Sequence, residues 1–176
     1  EPDWLAEHAN DPDVRIIDCA TVEAYRRAHI PGALQLPAHF YIKEDDSEGS
    51  DHGVLVMPPR KFEELMAKLG IGPNTTVVTY DANNALVAAR LWWVLQYYGH
   101  TNAKVLNGGW HRWMTERRPV TFHATRAPAA LAPFVARPRD DIYASLDFLK
   151  EKHADAACQV LDARTDGEWD GSNNRG

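Results

Sequence analysis

The sequence predicts an α/β domain built on a parallel sheet flanked by helices. Three observations carry this reading. Runs of strand length rich in β-branched residues recur, as in VRIID (Val14–Asp18), TTVVTY (Thr75–Tyr80) and AKVLNGG (Ala103–Gly109). Helical patterns lie between them, and the connections are long enough for crossovers between parallel strands. The strand runs are short and nearly uninterrupted in their apolar character, as buried parallel strands require.

Taken in order, the first strand ends at Asp18–Cys19. Phe62, Leu65, Met66 and Leu69 then fall at i, i+3, i+4 and i+7, after Pro58–Pro59 and before Gly70, and predict an amphipathic helix. The second strand runs into a polar loop, Asp81–Asn84. From Asn84 to Tyr98 the chain is apolar on nearly every face and stops at Gly99, which predicts a helix buried within the domain. Residues His123–Asp141, rich in Ala and Pro and without either periodicity, read as a linker wrapping the surface between domains.

Beyond that linker the chain repeats itself. At a constant offset of 144 residues, Asp3/Asp147, Leu5/Leu149, Glu7/Glu151, Asp11/Asp155, Asp18/Asp162 and Thr21/Thr165 are identical. Trp4/Phe148, Ile16/Val160, Ile17/Leu161 and Tyr25/Trp169 agree in character. Six identities without a gap mark an internal repeat. The expected organisation is therefore a domain over 1–122, a linker over 123–140 and the truncated start of a second copy over 141–176.

Hydrophobic content of 44% and charged content of 25% are those of a globular protein. No apolar run is long enough to span a bilayer, and no charged segment followed by an apolar stretch marks a signal peptide. The net charge of −6, with no basic cluster denser than Arg26–Arg27 or Arg117–Arg118, argues against nucleic acid or an anionic membrane as partner. Cys19 and Cys158 form no CxxC, zinc spacing or disulfide framework, which makes a reducing, cytoplasmic setting the expectation.

Several residues are candidates for chemistry. A helix opening after a strand aims backbone N–H groups and a positive dipole end at the loop, an arrangement suited to an anion or an ionised nucleophile. The loop begins with Asp81. An aspartyl nucleophile of a phosphohydrolase calls for a second Asp two residues on, where Asn83 stands. A cysteine phosphatase calls for Cys at 81 and Arg six residues later, where Val87 stands. The structural alternative is that Asp81 and Asn83–Asn84 cap the helix from Ala85 onward. Cys19, in an apolar setting, reads as a buried thiol, and Cys158 has no His or helix start beside it to lower its pKa. None of the eight histidines forms an HxH or HExxH pattern, so no metal is expected, and NGGW (Asn107–Trp110) lacks the third glycine and acidic partner of a dinucleotide fingerprint, so no cofactor is expected. His29 precedes Pro31–Gly32 and reads as a turn ligand, and His52 lies in a polar loop, either solvated or facing a substrate. Trp110 and Trp113, at i, i+3, read as packing.

Four segments, AHIPGAL (Ala28–Leu34), VVTYDANNALVAARLWWVLQYYGH (Val77–His100), VLNGGWHRW (Val105–Trp113) and LDARTDGEWDG (Leu161–Gly171), resemble in order and spacing the signatures of tandem-domain rhodaneses, the thiosulfate and 3-mercaptopyruvate sulfurtransferases. The resemblance implies a five-stranded parallel sheet with helices on both faces in each half, and packing between the halves. It implies a first domain without the loop cysteine and a second whose nucleophilic Cys takes a sulfane sulfur from an anionic donor as a persulfide. That sulfur then passes to cyanide or a thiol. Asp81 matches the silent position, so no catalytic residue is expected in this chain, and the nucleophile is expected after Gly176. The resemblance also makes Arg175 and His52 candidate substrate contacts and Arg164 a structural ion pair. Glu168 stands where mercaptopyruvate-specific relatives carry a basic residue, which tilts the donor towards thiosulfate. The alternative reading is a catalytically silent binding or regulatory module.

Overall fold

Strand β1 (Val14–Asp18) is buried along its whole length and sits inside a four-stranded sheet of order β2-β1-β3-β4. This is a computed structural model, and it describes residues 1–37 and 56–173. The other strands are β2 (Leu34–Gln35), β3 (Thr76–Tyr80) and β4 (Ala103–Val105), and every pairing is parallel. Among the described residues the sheet thus has four strands where the resemblance implies five.

The period-2 alternation of the strands divides the core in two. Ile17 and Val77 pack on one face with Phe62 and Met66 of α3 (Pro59–Lys68) and with Ala88, Leu91 and Leu95 of α4 (Leu86–Tyr97). Val14, Ile16, Val78 and Tyr80 pack on the other with Leu5 of α1 (Pro2–His8), Tyr25 of α2 (Val22–Arg27) and Trp113 of α5 (Gly109–Thr115). Each fully buried aliphatic or aromatic side chain contributes roughly 1.5–3 kcal/mol by leaving water. Pro59 starts α3 at a position where its missing N–H has no partner to lose. Helix α4 is not buried all round: Leu86 is 58% and Trp92 36% exposed, while Ala88, Leu91, Val94 and Leu95 face the sheet. Its outer apolar residues hid the amphipathic pattern in the sequence.

The chain divides into two compact units, Glu1–Asp140 and Asp141–Gly176. The Ala/Pro-rich segment is a strap on the first unit. Ala136 N–H donates to Glu63 Oε1 at 2.9 Å, and Arg137 N–H to the Tyr98 carbonyl at 3.0 Å. Phe134 is buried against Phe62 and His100, with ring centroids 5.6 and 5.7 Å away. Gly70, at φ +65°, lets the strap come so close that a Cβ there would lie 1.9 Å from the Pro128 carbonyl oxygen.

In the second unit, α6 (Leu146–Lys152) and α7 (Asp166–Trp169) fall 144 residues beyond α1 and the start of α2. Residues 159–162, which match the end of β1 at the 144-residue offset, have no ladder partner among the described residues. Val160, Leu161 and Trp169 are 56%, 83% and 67% exposed, whereas Ile16, Ile17 and Tyr25 of the first unit are buried. A strand needs a neighbour to close its backbone hydrogen bonds, and none stands beside this segment among the described residues.

Phe134→Ala removes the strap's one deeply buried ring and is expected to lower the free energy of unfolding by about 3 kcal/mol. Urea denaturation of the two proteins measures it.

Candidate functional site

The carboxyl ends of β1, β3 and β4 face one edge of the sheet, where open α/β folds place their ligand crevices. Asp81 directly follows β3, and its side chain is the centre of the loop. Oδ1 accepts from the backbone N–H groups of Asn83 and Ala85, both at 2.9 Å. Oδ2 accepts from those of Val87 and Ala88, both at 2.8 Å. Three amides of the helix start, those of Ala85, Val87 and Ala88, and the loop amide of Asn83 thus converge on one buried carboxylate.

The backbone is bent to achieve this. Asn84 and Ala85 both have positive φ, 51° and 65°, which turns successive N–H groups inward. Asn83 adds its carbonyl, which accepts from Leu86 N–H at 3.0 Å. The capping is therefore done by the Asp81 side chain, with Asn83 and Asn84 contributing through their backbones. The Asp81 carbonyl accepts from Trp110 N–H at 2.9 Å, and a Cβ on Gly109 would lie 2.6 Å from that oxygen. Gly109 is the residue that lets the β4–α5 turn touch the loop. Asn107 and Arg112 hold this turn to Glu1, the former through Nδ2–H to Oε1 at 2.7 Å.

Two clefts flank the Asp81 loop, and Ala82 lines both. One, of about 620 Å³, is lined by Asp81, Asn84, Asn107, Gly108, Gly109 and His111, among others. The other, of about 260 Å³, lies between β1 and β3 and is lined by Asp18, Ala20, Arg27, Tyr80, Ala82 and Trp110, among others. In the second cleft Tyr80 O–H donates to Asp18 Oδ2 at 2.6 Å and accepts from Ile30 N–H at 3.1 Å. Burial pushes the Asp18 carboxyl above the ordinary carboxylate range, against the opposing bonds from Tyr80 and the Ala20 amide. Burial, with the Asp18 charge beside it, likewise raises the Tyr80 phenol.

The remaining sequence candidates disperse. Cys19 is buried, and burial with the nearby Asp18 and Asp81 charges pushes its thiol well above the ordinary range, the reverse of a nucleophile. Cys158 belongs to the second unit. His29 differs from a turn ligand: its ring stacks on Tyr25 and its nitrogens reach the Tyr25 and His123 carbonyls at 2.7 and 3.2 Å. The adjoining turn closes by its own Ala33 N–H to Ile30 carbonyl bond. Trp113 packs in the core, while Trp110 walls the smaller cleft. Arg164 pairs with Asp162 through Nε and Nη2. Glu168 closes a capping box with Thr165. His52 and Arg175 lie outside the described residues. Among the described residues no group of three His, Cys, Asp or Glu side chains could hold a metal ion, and no helix is long and apolar enough to cross a membrane. Asp18, Tyr80 and Trp110 escaped the sequence reading as a group; the Ala20/Arg164 mismatch in the repeat was the available signal.

Asp81→Ala leaves four donors without their acceptor and is expected to lower stability by about 2–4 kcal/mol in urea denaturation. Asp81→Asn is expected to cost a similar amount, because its NH₂ turns a donor towards two of the amides. The Asp18 carboxyl also predicts a pH dependence. Its folded value lies above the ordinary 3.8, so its contribution is fullest below that value and is lost as pH rises through the raised folded value. The stability of the native sequence minus that of Asp18→Asn should therefore fall with rising pH, measured by urea denaturation across the acid range.

Comparison with known proteins places this geometry. The Rhodanese family, described as a rhodanese-like domain, matches residues 1–116. Thiosulfate sulfurtransferase of Bos taurus is 30% identical over 183 residues, covering 96% of this chain and 60% of that protein. 3-Mercaptopyruvate sulfurtransferase of Escherichia coli (strain K12) is 28% identical over 172 residues, covering 92% of this chain and 59% of its own. The crystal structure of SseA from Escherichia coli superposes with a TM-score of 0.80 at 25% identity, over 95% of this chain and 65% of that one. The chain spans about 60% of the length of the curated relatives it matches.

Proposed function

The chain belongs to the rhodanese-like domain family, and from that premise we propose that it is the non-catalytic first domain, with the opening of the catalytic second, of a sulfurtransferase. The observation that carries this reading is the Asp81 carboxylate seated on four amides of the loop and helix start. A loop of this shape suits an ionised thiol; here an aspartate fills it. Neither cysteine of the chain is placed to act in its stead.

In this proposal the working nucleophile is a cysteine in the matching loop of the second copy, which the 144-residue offset puts at about residue 225. Its thiolate attacks the outer sulfur of thiosulfate, the S–S bond breaks, and sulfite leaves with the electron pair. Cyanide or a thiol then takes the outer sulfur from the persulfide, and the cysteine leaves as thiolate. Loop amides and a helix N-terminus would hold that thiolate ionised and stabilise charge during both transfers. Domain boundaries of 1–122, 123–140 and 141–176, packing between the halves, and a cytoplasmic location belong to the same proposal. The exposed Val160, Leu161 and Trp169 support an unfinished second core, since their first-unit counterparts are buried. Thiosulfate is the favoured donor over 3-mercaptopyruvate, because Glu168 is committed to its capping box and offers no cationic clamp for a carboxylate. His52 and Arg175 remain the proposed substrate contacts of the assembled cleft.

The filled loop also favours a second reading, a silent rhodanese-like module used for binding. A cysteine in the matching loop of the full-length protein decides for the enzyme, and another aspartate decides for the module. For the 176-residue chain itself, the thiosulfate:cyanide assay is expected to show no thiocyanate formation above buffer. Turnover that survives substitution of both Cys19 and Cys158 would sink the proposed chemistry.

A further inference from the structure

The repeat exposes a difference between two otherwise matched carboxylates. Asp162 of the second unit accepts the backbone N–H of Arg164 at 2.9 Å, and it also holds that residue's guanidinium, with Nε at 2.9 Å and Nη2 at 2.8 Å from Oδ2. The guanidinium carbon lies 5.2 Å from the centre of the Trp169 ring. Arg164 is thus held by a carboxylate and an aromatic face together.

At the matching place in the first unit, Asp18 keeps the backbone bond, from Ala20 N–H at 2.9 Å, but the arginine is replaced by Ala20. Among the described residues the hydrogen bonds to the Asp18 carboxylate come from the Ala20 amide and the Tyr80 hydroxyl, neither of them a cation. Asp18 and Ala20 open on the 260 Å³ cleft, where Trp110, rather than the Trp169 counterpart Tyr25, supplies the aromatic wall and Arg27 also lines the edge. Tyr80 O–H gives Oδ2 one neutral hydrogen bond, and each carboxylate oxygen retains capacity for a further donor. The cleft lies at the ends of β1 and β3, where the chain leaves β1 for β2 on one side and β3 for β4 on the other, the switch point at which open parallel sheets bind ligands.

We infer that this cleft binds a guanidinium group, carried by a small guanidine or by an arginine side chain. The carboxylate provides a charged acceptor, Trp110 a stacking face, and Ala20 the room that an arginine occupies in the other copy. Asp81 adds a second negative charge near Asp18. Arg27, exposed at the rim, carries a like charge and works against the ligand, and His29 is the other titratable group that acts on Asp18. The inference is independent of the sulfurtransferase reading, since it uses neither the Asp81 cradle nor a second-domain cysteine.

The test is a titration of the ¹⁵N-labelled chain with methylguanidinium at low ionic strength, followed by amide and indole shifts. Saturable changes at Ala20, Tyr80 and the Trp110 indole are expected, with a dissociation constant on the order of 1–10 mM for so small a ligand. Methylammonium, lacking the planar fork, should bind at least about tenfold more weakly. Ala20→Arg, which supplies the group internally, and Asp18→Asn should each abolish the saturable changes, while Arg27→Ala should retain or tighten them. Spectra of each variant report its folding separately. Blocked arginine amide binding more tightly than methylguanidinium assigns the site to an arginine side chain, and weaker binding assigns it to a small guanidine. No saturable shifts, equal response to methylammonium, or unchanged binding by folded Ala20→Arg would overturn the inference.

Discussion

The contact between one carboxylate and four backbone amides organises this end of the molecule. Asp81 ends β3, and its oxygens fix where α4 begins, how residues 83–85 turn, and which residue may approach from the β4–α5 turn. Charge-assisted bonds to first-turn amides are stronger than neutral ones, and burial removes water as a competitor. The left-handed conformations of Asn84 and Ala85, unfavourable by themselves, persist because those bonds require them.

The same contact separates architecture from chemistry. Strand, loop and helix are those of a site that holds negative charge, and the charge is covalently part of the chain. An external anion would have to displace a tethered carboxylate that pays no translational entropy to remain in place. Next to it, the buried Asp18 carboxylate is hydrogen-bonded by the Ala20 amide and the Tyr80 hydroxyl, where Asp162 of the second copy also holds the Arg164 guanidinium. The two clefts lie at one sheet edge, and Ala82 lines both.

What the sequence reveals about this fold depends on whether local residues decide it. β1 is bounded by its own β-branched run, and β3 starts one residue later than its run suggests. The helix over Phe62–Leu69 follows from spacing and from its Pro start. Helix α4 misleads, because Leu86 and Trp92 are apolar yet face outward. Asp81 is legible as a cap, since the acceptor and its donors lie within seven residues. Asp18, Tyr80 and Trp110 are not, because they meet only when β1 pairs with β3 and the β4–α5 turn folds over them. The role of His29 likewise depends on Thr121 and His123, nearly a hundred residues away.

The central claim is that the loop's anion site is filled from within. Scalar couplings through hydrogen bonds, read by NMR from amide nitrogens to the Asp81 carboxylate carbon, test it most directly. The account predicts couplings from Asn83, Ala85, Val87 and Ala88, unchanged when sulfate or thiosulfate is added. Absence of those couplings, or their loss on adding either anion, would contradict it.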